Sequence, residues 1–283
     1  MKKMTLIACC LLAMLSLHSC NDGPAKAEKL GWKLAIQSYT FHTFTFVEAV
    51  DKCNELGIKY MELFPGHTLG GSWGDAVFGP ELDPPIQKEV KEYAGSRGVR
   101  IVSSGVYTAR TAEQWESFFR MAHNMEMEYV TVEPEPEMWD LVEGLSNEYG
   151  IKVAVHNHPQ PSSYWHPDSL LAAVGSRSKD IGSCADVGHW NREGLDHLDC
   201  LRELDGRLIS FHIKDIVGEP DATGWRHDCI WGTGVLDLPA ILQIMKAQGF
   251  KGYLAIEYEY NWDNSVPDIR QSIDNFNKMV DQL

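Results

Sequence analysis

Four ionisable residues stand at the ends of short apolar segments that have the length of β-strands. They are Glu133 after residues 129–132, Asp186 at the end of 181–186, His212 within 208–214, and Glu257 after 253–256. Charged side chains are rarely buried unless they are paired or bind metal. One acid in such a place often caps the next helix, so no single member indicates a site. Together, three carboxylates and one imidazole form a donor set suited to Mn2+, Mg2+, Co2+ or Zn2+.

A fifth apolar segment ends in the run His156-Asn157-His158-Pro159. The two histidines share one face of the strand because side chains alternate along it. Either could bind substrate hydroxyls, act as an acid or base, or add a metal ligand. The alternative is that one packs under the following loop and bonds to the backbone.

Lys214 shares a face with His212 by the same alternation. Its ammonium group could neutralise a negatively charged intermediate or hold a carboxyl or hydroxyl group; the alternative is an ion pair with a neighbouring acid. Weaker candidates for substrate binding come from the first two strands and from a long loop before the last strand. They are Gln37, Glu62, His227 and Trp231.

These residues need a scaffold that brings strand ends together. Apolar segments at 33–41, 58–64, 99–106, 128–133, 151–156, 181–186, 208–214 and 253–258 alternate with helical patterns such as 46–56, 113–125, 136–149 and 238–248. Eight such units predict an α/β protein with a single (β/α)8 TIM barrel, whose strands all end at one rim. A doubly wound open sheet is the alternative, but no GxGxxG turn follows the first strand.

Two connections are longer than the rest, around residues 66–85 and 219–234, and both are rich in Gly, Trp and polar residues. In a barrel they lie at the C-terminal rim, where substrates bind. Tryptophan rings in such loops suit stacking against sugars. No arginine cluster marks a phosphate site, so we expect an unphosphorylated sugar or glycoside as the substrate.

The first residues predict export. Lys2 and Lys3 precede an apolar run, 6–17, that is too short to span a bilayer. The ending Leu17-His18-Ser19-Cys20 resembles a bacterial lipoprotein signal. We therefore expect a signal peptide over 1–19, lipidation of Cys20, a tether over 20–30 and the barrel over 31–283. The lipid anchor would hold the protein on the cell envelope, facing the periplasm; the alternative is an ordinary signal peptide with an incidental cysteine.

The composition limits which classes of partner the protein is expected to bind. Residues 1–19 hold two lysines and no acid, so their removal moves the net charge from −15 to −17. That balance argues against a nucleic-acid partner, because phosphate binding needs clustered lysine and arginine. No CxxC spacing occurs, so we expect free thiols at Cys53, Cys184, Cys200 and Cys229. The sequence does not determine the oligomeric state, and a homo-oligomer is one alternative.

The same motifs resemble the xylose isomerase-like barrel superfamily of sugar isomerases, epimerases, inosose dehydratases and AP endonucleases. The resemblance rests on Val-Glu133-Pro, Asp186-Val-Gly-His189, His212-Ile-Lys214-Asp215, Gly232-Thr-Gly234-Val-Leu-Asp237 and Ile-Glu257. It implies that Glu133, Asp186, His212 and Glu257 bind the metal. It also implies that Glu133 and Glu257 move protons. His189 then contacts substrate, unless it merely starts the next helix.

The resemblance implies removal of a proton α to a sugar carbonyl, with a metal ion stabilising the enediolate. Reprotonation gives an isomerase or epimerase, whereas loss of a β-substituent gives a dehydratase or a lyase that cleaves 3-keto glycosides. Export and the pair His156 and His158 favour elimination; the superfamily's commonest activities favour isomerisation. A sugar-binding lipoprotein without catalysis is the alternative from another class. The acidic charge disfavours an AP endonuclease.

Overall fold

A computed structural model describes residues 23–283 of the chain, so the predicted signal peptide and Cys20 lie outside the described residues. The strands are β1 (Trp32–Gln37), β2 (Tyr60–Leu63), β3 (Arg100–Ser104), β4 (Tyr129–Val132), β5 (Lys152–His156), β6 (Ile181–Asp186), β7 (Leu208–Ile213), β8 (Asp215–Ile216), β9 (Asp228–Cys229) and β10 (Gly252–Ile256). The helices are α1 (Gly23–Leu30), α2 (Phe46–Leu56), α3 (Pro84–Ser96), α4 (Ala112–Asn124), α5 (Trp139–Tyr149), α6 (Pro167–Val174), α7 (Val187–Arg192), α8 (His197–Glu203), α9 (Leu238–Ala247) and α10 (Val266–Asp281).

Strands β1 to β7 and β10 form one parallel sheet in the order β3-β2-β1-β10-β7-β6-β5-β4. The sheet closes between β3 and β4. There the Glu128 N–H donates to the Val102 carbonyl at 2.9 Å, and the Tyr107 N–H donates to the Thr131 carbonyl at 3.0 Å. The predicted (β/α)8 barrel is therefore confirmed.

Local sequence signals set the helix ends. In α2 the Thr45 side chain accepts the Glu48 N–H while the Glu48 carboxylate accepts the Thr45 N–H. This reciprocal cap satisfies donors that the first helical turn leaves free. Gly57 ends α2 at a φ of 74°, a conformation that glycine adopts without steric strain. Both ends of α2 are therefore specified by local sequence.

Side chains fill the interior of the barrel beneath the C-terminal ends of the strands. The polar residues of the site lie above this layer, at the C-terminal ends. Ala35, Val102, Ala154, Cys184 and Ala255 form a small buried cluster with two tyrosines. Those tyrosines, Tyr129 and Tyr253, stack with ring centroids 5.7 Å apart. Because bulky rings plug the lower half, the polar side chains at the C-terminal strand ends have room above them.

The predicted tether is wrong for residues 23–30, because they form helix α1. Ala27 is buried, and the Lys26 ammonium donates to the carbonyl of Asp281 at the end of α10. Gly23 lies so close to Asn277 that a Cβ would be 2.5 Å from its carbonyl oxygen. The polar residues that suggested a tether are instead the exposed face of a helix packed on the barrel.

The motif at 232–237 anchors a rim loop. Strands β8 and β9 pair antiparallel, and the Asp215 carboxylate accepts N–H groups from Gly232 and Gly234 at 2.9 Å and from Leu236 at 3.1 Å. A Cβ at Gly234 would lie 2.3 Å from the Asp215 carboxylate, so only glycine fits. The described cysteines are free thiols. No helix between residues 23 and 283 combines the length and apolar character needed to cross a membrane.

Candidate active site and metal centre

Four buried side chains converge at the C-terminal end of the barrel: His156 from β5, Asp186 from β6, His212 from β7 and Glu257 after β10. One donor atom from each lies within 4.8 Å of all the others. His156 Nε2 is 3.6 Å from Asp186 Oδ2, and His212 Nδ1 is 3.2 Å from Glu257 Oε2. We refer to these four residues as the central cluster.

The central cluster fits a divalent cation. His156 Nε2 and His212 Nδ1 are buried yet form no hydrogen bond, although nearly all buried polar atoms have a partner. Ligand atoms about 2.1 Å from a tetrahedral ion lie roughly 3.4 Å from one another. The 3.2 and 3.6 Å separations bracket that spacing. Two imidazoles and two carboxylates suit Mn2+, Co2+ or Zn2+ better than Mg2+, which prefers oxygen ligands.

The structure places His156, rather than Glu133, in the fourth position. Glu133 Oε1 lies 2.5 Å from His158 Nδ1 and 3.1 Å from His156 Nδ1, while Ser162 donates to its other oxygen at 2.8 Å. Burial alone would raise the pKa of Glu133, but hydrogen bonds from His156 and His158 lower it. The carboxylate therefore orients the His156 ring and directs its Nε2 into the central cluster.

Lys214 is both an ion-pair partner and a member of the site. Its buried ammonium lies 2.7 Å from Glu257, 2.9 Å from Asp186 and 3.0 Å from Glu259. Burial disfavours the charge, yet the three carboxylates hold the pKa of Lys214 well above its usual value. Lys214 in turn keeps the pKa of Glu257 well below its usual value, against the effect of burial.

Glu62 and Gln37 position the cluster instead of contacting substrate as predicted. Glu62 Oε1 lies 2.7 Å from His212 Nε2, and its other oxygen accepts from Thr131 at 2.6 Å. The Gln37 amide donates to Glu62 at 2.7 Å and to the Gly105 carbonyl at 3.0 Å. Both side chains are fully buried, with their hydrogen bonds made inside the barrel. This pairing fixes which His212 nitrogen faces the cluster.

His189 lies beside the central cluster, and its contact with substrate stays a prediction. Its N–H donates to Asp186 Oδ1 at 2.7 Å at the start of α7, and its ring Nε2 lies 3.5 Å from Asp186 Oδ2. The side chain is therefore both the start of a helix and part of the site. Burial lowers the pKa of His189 well below its usual value, so its ring is neutral at pH 7.

Sequence reasoning missed three charged residues. Arg192 pairs with Asp228, lies 3.8 Å from Glu259 and is 3.2 Å from His189 Nδ1. Sequence signals could have found two of the three: Glu259 lies two residues beyond Glu257, and Arg192 lies three residues beyond His189 on one helix. Together they extend the ion pairs of Lys214 into a buried charged network beside the central cluster.

The two candidates from the long loop differ. Trp231 is 1% exposed and packs against Phe276 of α10, so it is a core residue and its predicted substrate contact is wrong. Its large apolar ring fills the space between loop and helix. His227 is half-buried at the rim, where its ring stacks on Tyr260 at 3.9 Å and 7°. It stays a candidate for substrate binding.

Residues 50–279 match the protein family described as Xylose isomerase-like TIM barrel. A crystal structure of an uncharacterised protein from Parabacteroides distasonis is 35% identical with a TM-score of 0.72, and the match covers 88% of this chain and 99% of that one.

Two curated relatives have named activities. An inosose isomerase from Halalkalibacterium halodurans is 26% identical over 118 residues, which are 40% of this chain and 41% of that protein. An inosose dehydratase from Histophilus somni is 22% identical over 192 residues, which are 60% of this chain and 61% of that protein. The chain thus spans less than two thirds of the length of these relatives.

Proposed function

The chain belongs to the xylose isomerase-like TIM barrel family, and from that premise we propose that it removes a proton α to the carbonyl of an unphosphorylated sugar. The observation that carries this proposal is the central cluster with Lys214 beside it. Named relatives include an isomerase and a dehydratase, and both reactions can begin by breaking such a C–H bond. An isomerase or epimerase is the first candidate.

His156, Asp186, His212 and Glu257 would hold the divalent ion. A bound ion would supply positive charge against the enolate that develops when the proton leaves. Glu257 is the proposed base, because Lys214 keeps its carboxylate ionised at neutral pH and because it is 7% exposed whereas the other members of the central cluster are fully buried. Lys214 would bind an oxygen of the sugar and limit the build-up of negative charge.

Glu133 and His158 offer a second place for proton transfer. His158 is 49% exposed and contacts the carboxylate of Glu133, which is 16% exposed. The two lie after β4 and β5, whereas Glu257 lies after β10, so the proposed substrate position is between them. A proton removed on one face and returned on the other gives epimerisation.

A keto-sugar lyase is the second candidate, and the exposed His158 favours it. An imidazole paired with a carboxylate can donate a proton to a departing oxygen. The C–H electron pair would then form a C=C bond while the β C–O bond breaks, as in cleavage of a 3-keto glycoside. The sugar-binding protein without catalysis is disfavoured, because binding alone gives no reason for burying so many charges in one cluster.

Incubation in D2O with Mn2+, using keto and non-keto glucosides, is expected to place deuterium on the carbon next to the carbonyl. NMR and mass spectrometry would read the result. Deuterium in an intact glycoside indicates an isomerase or epimerase, and release of the aglycone with an unsaturated keto sugar indicates a lyase. Saturable binding with neither product would support the binding protein and overturn the enzymatic proposal.

Removal of the metal with EDTA is expected to abolish turnover and lower the melting temperature. A ligand present at 100 times its Kd stabilises a protein by about 2.7 kcal/mol, or roughly 5 to 10 °C for a domain of this size. Lys214 already balances part of the charge, so the metal-free barrel should stay folded. Calorimetry after adding back each ion tests this; full activity and an unchanged melting curve without metal would refute the metal site.

We also propose that cleavage before Cys20 and acylation of its thiol anchor the protein to the cell envelope, facing the periplasm. Changing Cys20 to Ala is expected to move the protein from the membrane to the soluble fraction and to stop incorporation of labelled palmitate. Cys229→Ala is the matched control, since that thiol is in strand β9. Unchanged membrane association of the Cys20 variant would remove the anchor from the proposal.

A further inference from the structure

The exposed large apolar side chains lie in connections on the C-terminal side of the barrel. Among residues 23–283 the exposed large hydrophobic residues are Tyr39, Val77, Trp225, Val235 and Tyr260. Every one of them lies in a connection that follows the C-terminal end of a barrel strand. All five therefore lie in connections on the side of the barrel that carries the central cluster, and exposed apolar residues on one side of a protein favour a binding surface there.

Four rings on one side of the mouth form an ordered group. Tyr39 and His42 stack at 4.5 Å with their planes 13° apart. Trp262 meets His42 edge-on at 4.4 Å, and Phe64 meets Tyr39 edge-on at 5.3 Å. They follow the neighbouring strands β10, β1 and β2. We call Tyr39, His42, Phe64 and Trp262 the aromatic shelf.

A chain of hydrogen bonds ties the shelf to the central cluster. His212 contacts Glu62, Gln37 donates to Glu62, and the Gln37 side-chain oxygen accepts the Tyr39 N–H at 3.0 Å. Tyr39 follows β1, and Ile36 near the end of β1 pairs with Ile256 of β10, the residue before Glu257. Partial burial and the charges of Glu259 and Glu257 raise the pKa of the Tyr39 phenol. A ring lying on the shelf is therefore adjacent to the proposed base.

We propose that the aromatic shelf is a subsite for a second ring of the substrate, so that the substrate is a glycoside and not a free monosaccharide. This inference rests on the proposed function. The sugar that loses its proton occupies the central cluster, and the ring joined to it by the glycosidic bond lies on Tyr39 and Trp262. The chemistry required is a ring with an apolar face, which a second sugar and an aryl group both provide.

Calorimetric titration with unreactive ligands tests the subsite without turnover. Phenyl β-D-glucoside and cellobiose are expected to bind about three- to tenfold more tightly than methyl β-D-glucoside, the gain that one ring contact provides. Comparing the first two ligands distinguishes an aryl from a glycosyl ring. Tyr39→Ala and Trp262→Ala are expected to remove this preference while leaving the Kd of methyl β-D-glucoside within about twofold.

Trp165→Ala is the matched control, because Trp165 lies after β5, on the opposite side of the barrel from β1, and is in ring contact with His166. Tyr39→Phe keeps the ring and should keep the preference, which separates stacking from misfolding. Equal affinities for all three glucosides, or an equal loss of preference in Trp165→Ala, would overturn the subsite. The proposed function would fail separately, through absence of deuterium exchange in methyl 3-keto-glucoside.

Discussion

Replacing Glu257 with Gln is expected to lower the rate of α-proton exchange by about 10²- to 10⁴-fold, the range for loss of a general base. The amide keeps the size of the side chain but cannot accept the proton. The barrel should stay folded, because Lys214 retains Asp186 and Glu259 as counter-ions at 2.9 and 3.0 Å. The measurement is deuterium exchange by NMR under saturating metal, with circular dichroism as the check on folding.

Glu259→Gln is the matched control for this variant. Glu259 contacts the same ammonium but has no place in the central cluster, so its change should slow exchange far less than that of Glu257. If Glu257→Gln retained more than about a tenth of the exchange rate, the loss would be too small for the principal base. The base would then be sought at Glu133 and His158, which contact each other on the opposite side of the site.

The sequence predicted the architecture well because the barrel depends on local patterns. Each predicted strand overlaps an observed one, and residues 181–186 match β6 at both ends. A strand end at the C-terminal rim is a position that topology alone determines. Asp186, His212 and Glu257 could therefore be grouped from their place in three strands, without any knowledge of side-chain contacts.

The fourth cluster position could not be deduced in this way. Glu133 follows β4 and His156 ends β5, so both lie at the C-terminal rim. The choice between them as a cluster member depends on side-chain geometry. Two histidines contact the Glu133 carboxylate, so its Oε1 already has hydrogen-bond partners before any ion arrives. Such pairing depends on distances across two strands and leaves no trace in spacing along the chain.

The sequence also could not predict how deep a given side chain lies in the barrel. Gln37 and Glu62 have the polar character of substrate contacts, but they lie under the cluster and bond to each other. Trp231 has the character of a sugar-stacking residue, yet its ring is covered by α10. Alternation along a strand identifies the inward face but not the height of a side chain on that face.

The charge arrangement around Lys214 leads to the second large expected effect. Its ammonium is fully buried among three carboxylates, two of which belong to the central cluster. Removing one partner of a buried ion pair leaves the other charges uncompensated, at a cost of about 3–5 kcal/mol. Lys214→Met removes the charge and keeps a side chain of similar length. We expect the free energy of unfolding, measured in urea without metal, to fall by that amount.

The loss of stability in Lys214→Met is expected to depend on pH. The pKa values of Asp186 and Glu257 are held well below their usual values by neighbours that include Lys214. Their contribution to stability is therefore present above the usual carboxyl pKa and is lost as the pH falls through the lowered values. The stability difference between wild type and Lys214→Met should consequently shrink below about pH 4.

Divalent cation should stabilise Lys214→Met more than wild type, because the ion then supplies the only strong positive charge between Asp186 and Glu257. Lys88→Met is the matched control. That lysine is 71% exposed in a pair with Glu92, so its change should stay within about 0.5 kcal/mol. If both variants lost equally little stability at neutral pH, the buried charges would be balanced without Lys214. Its proposed role in keeping Glu257 ionised would then be wrong.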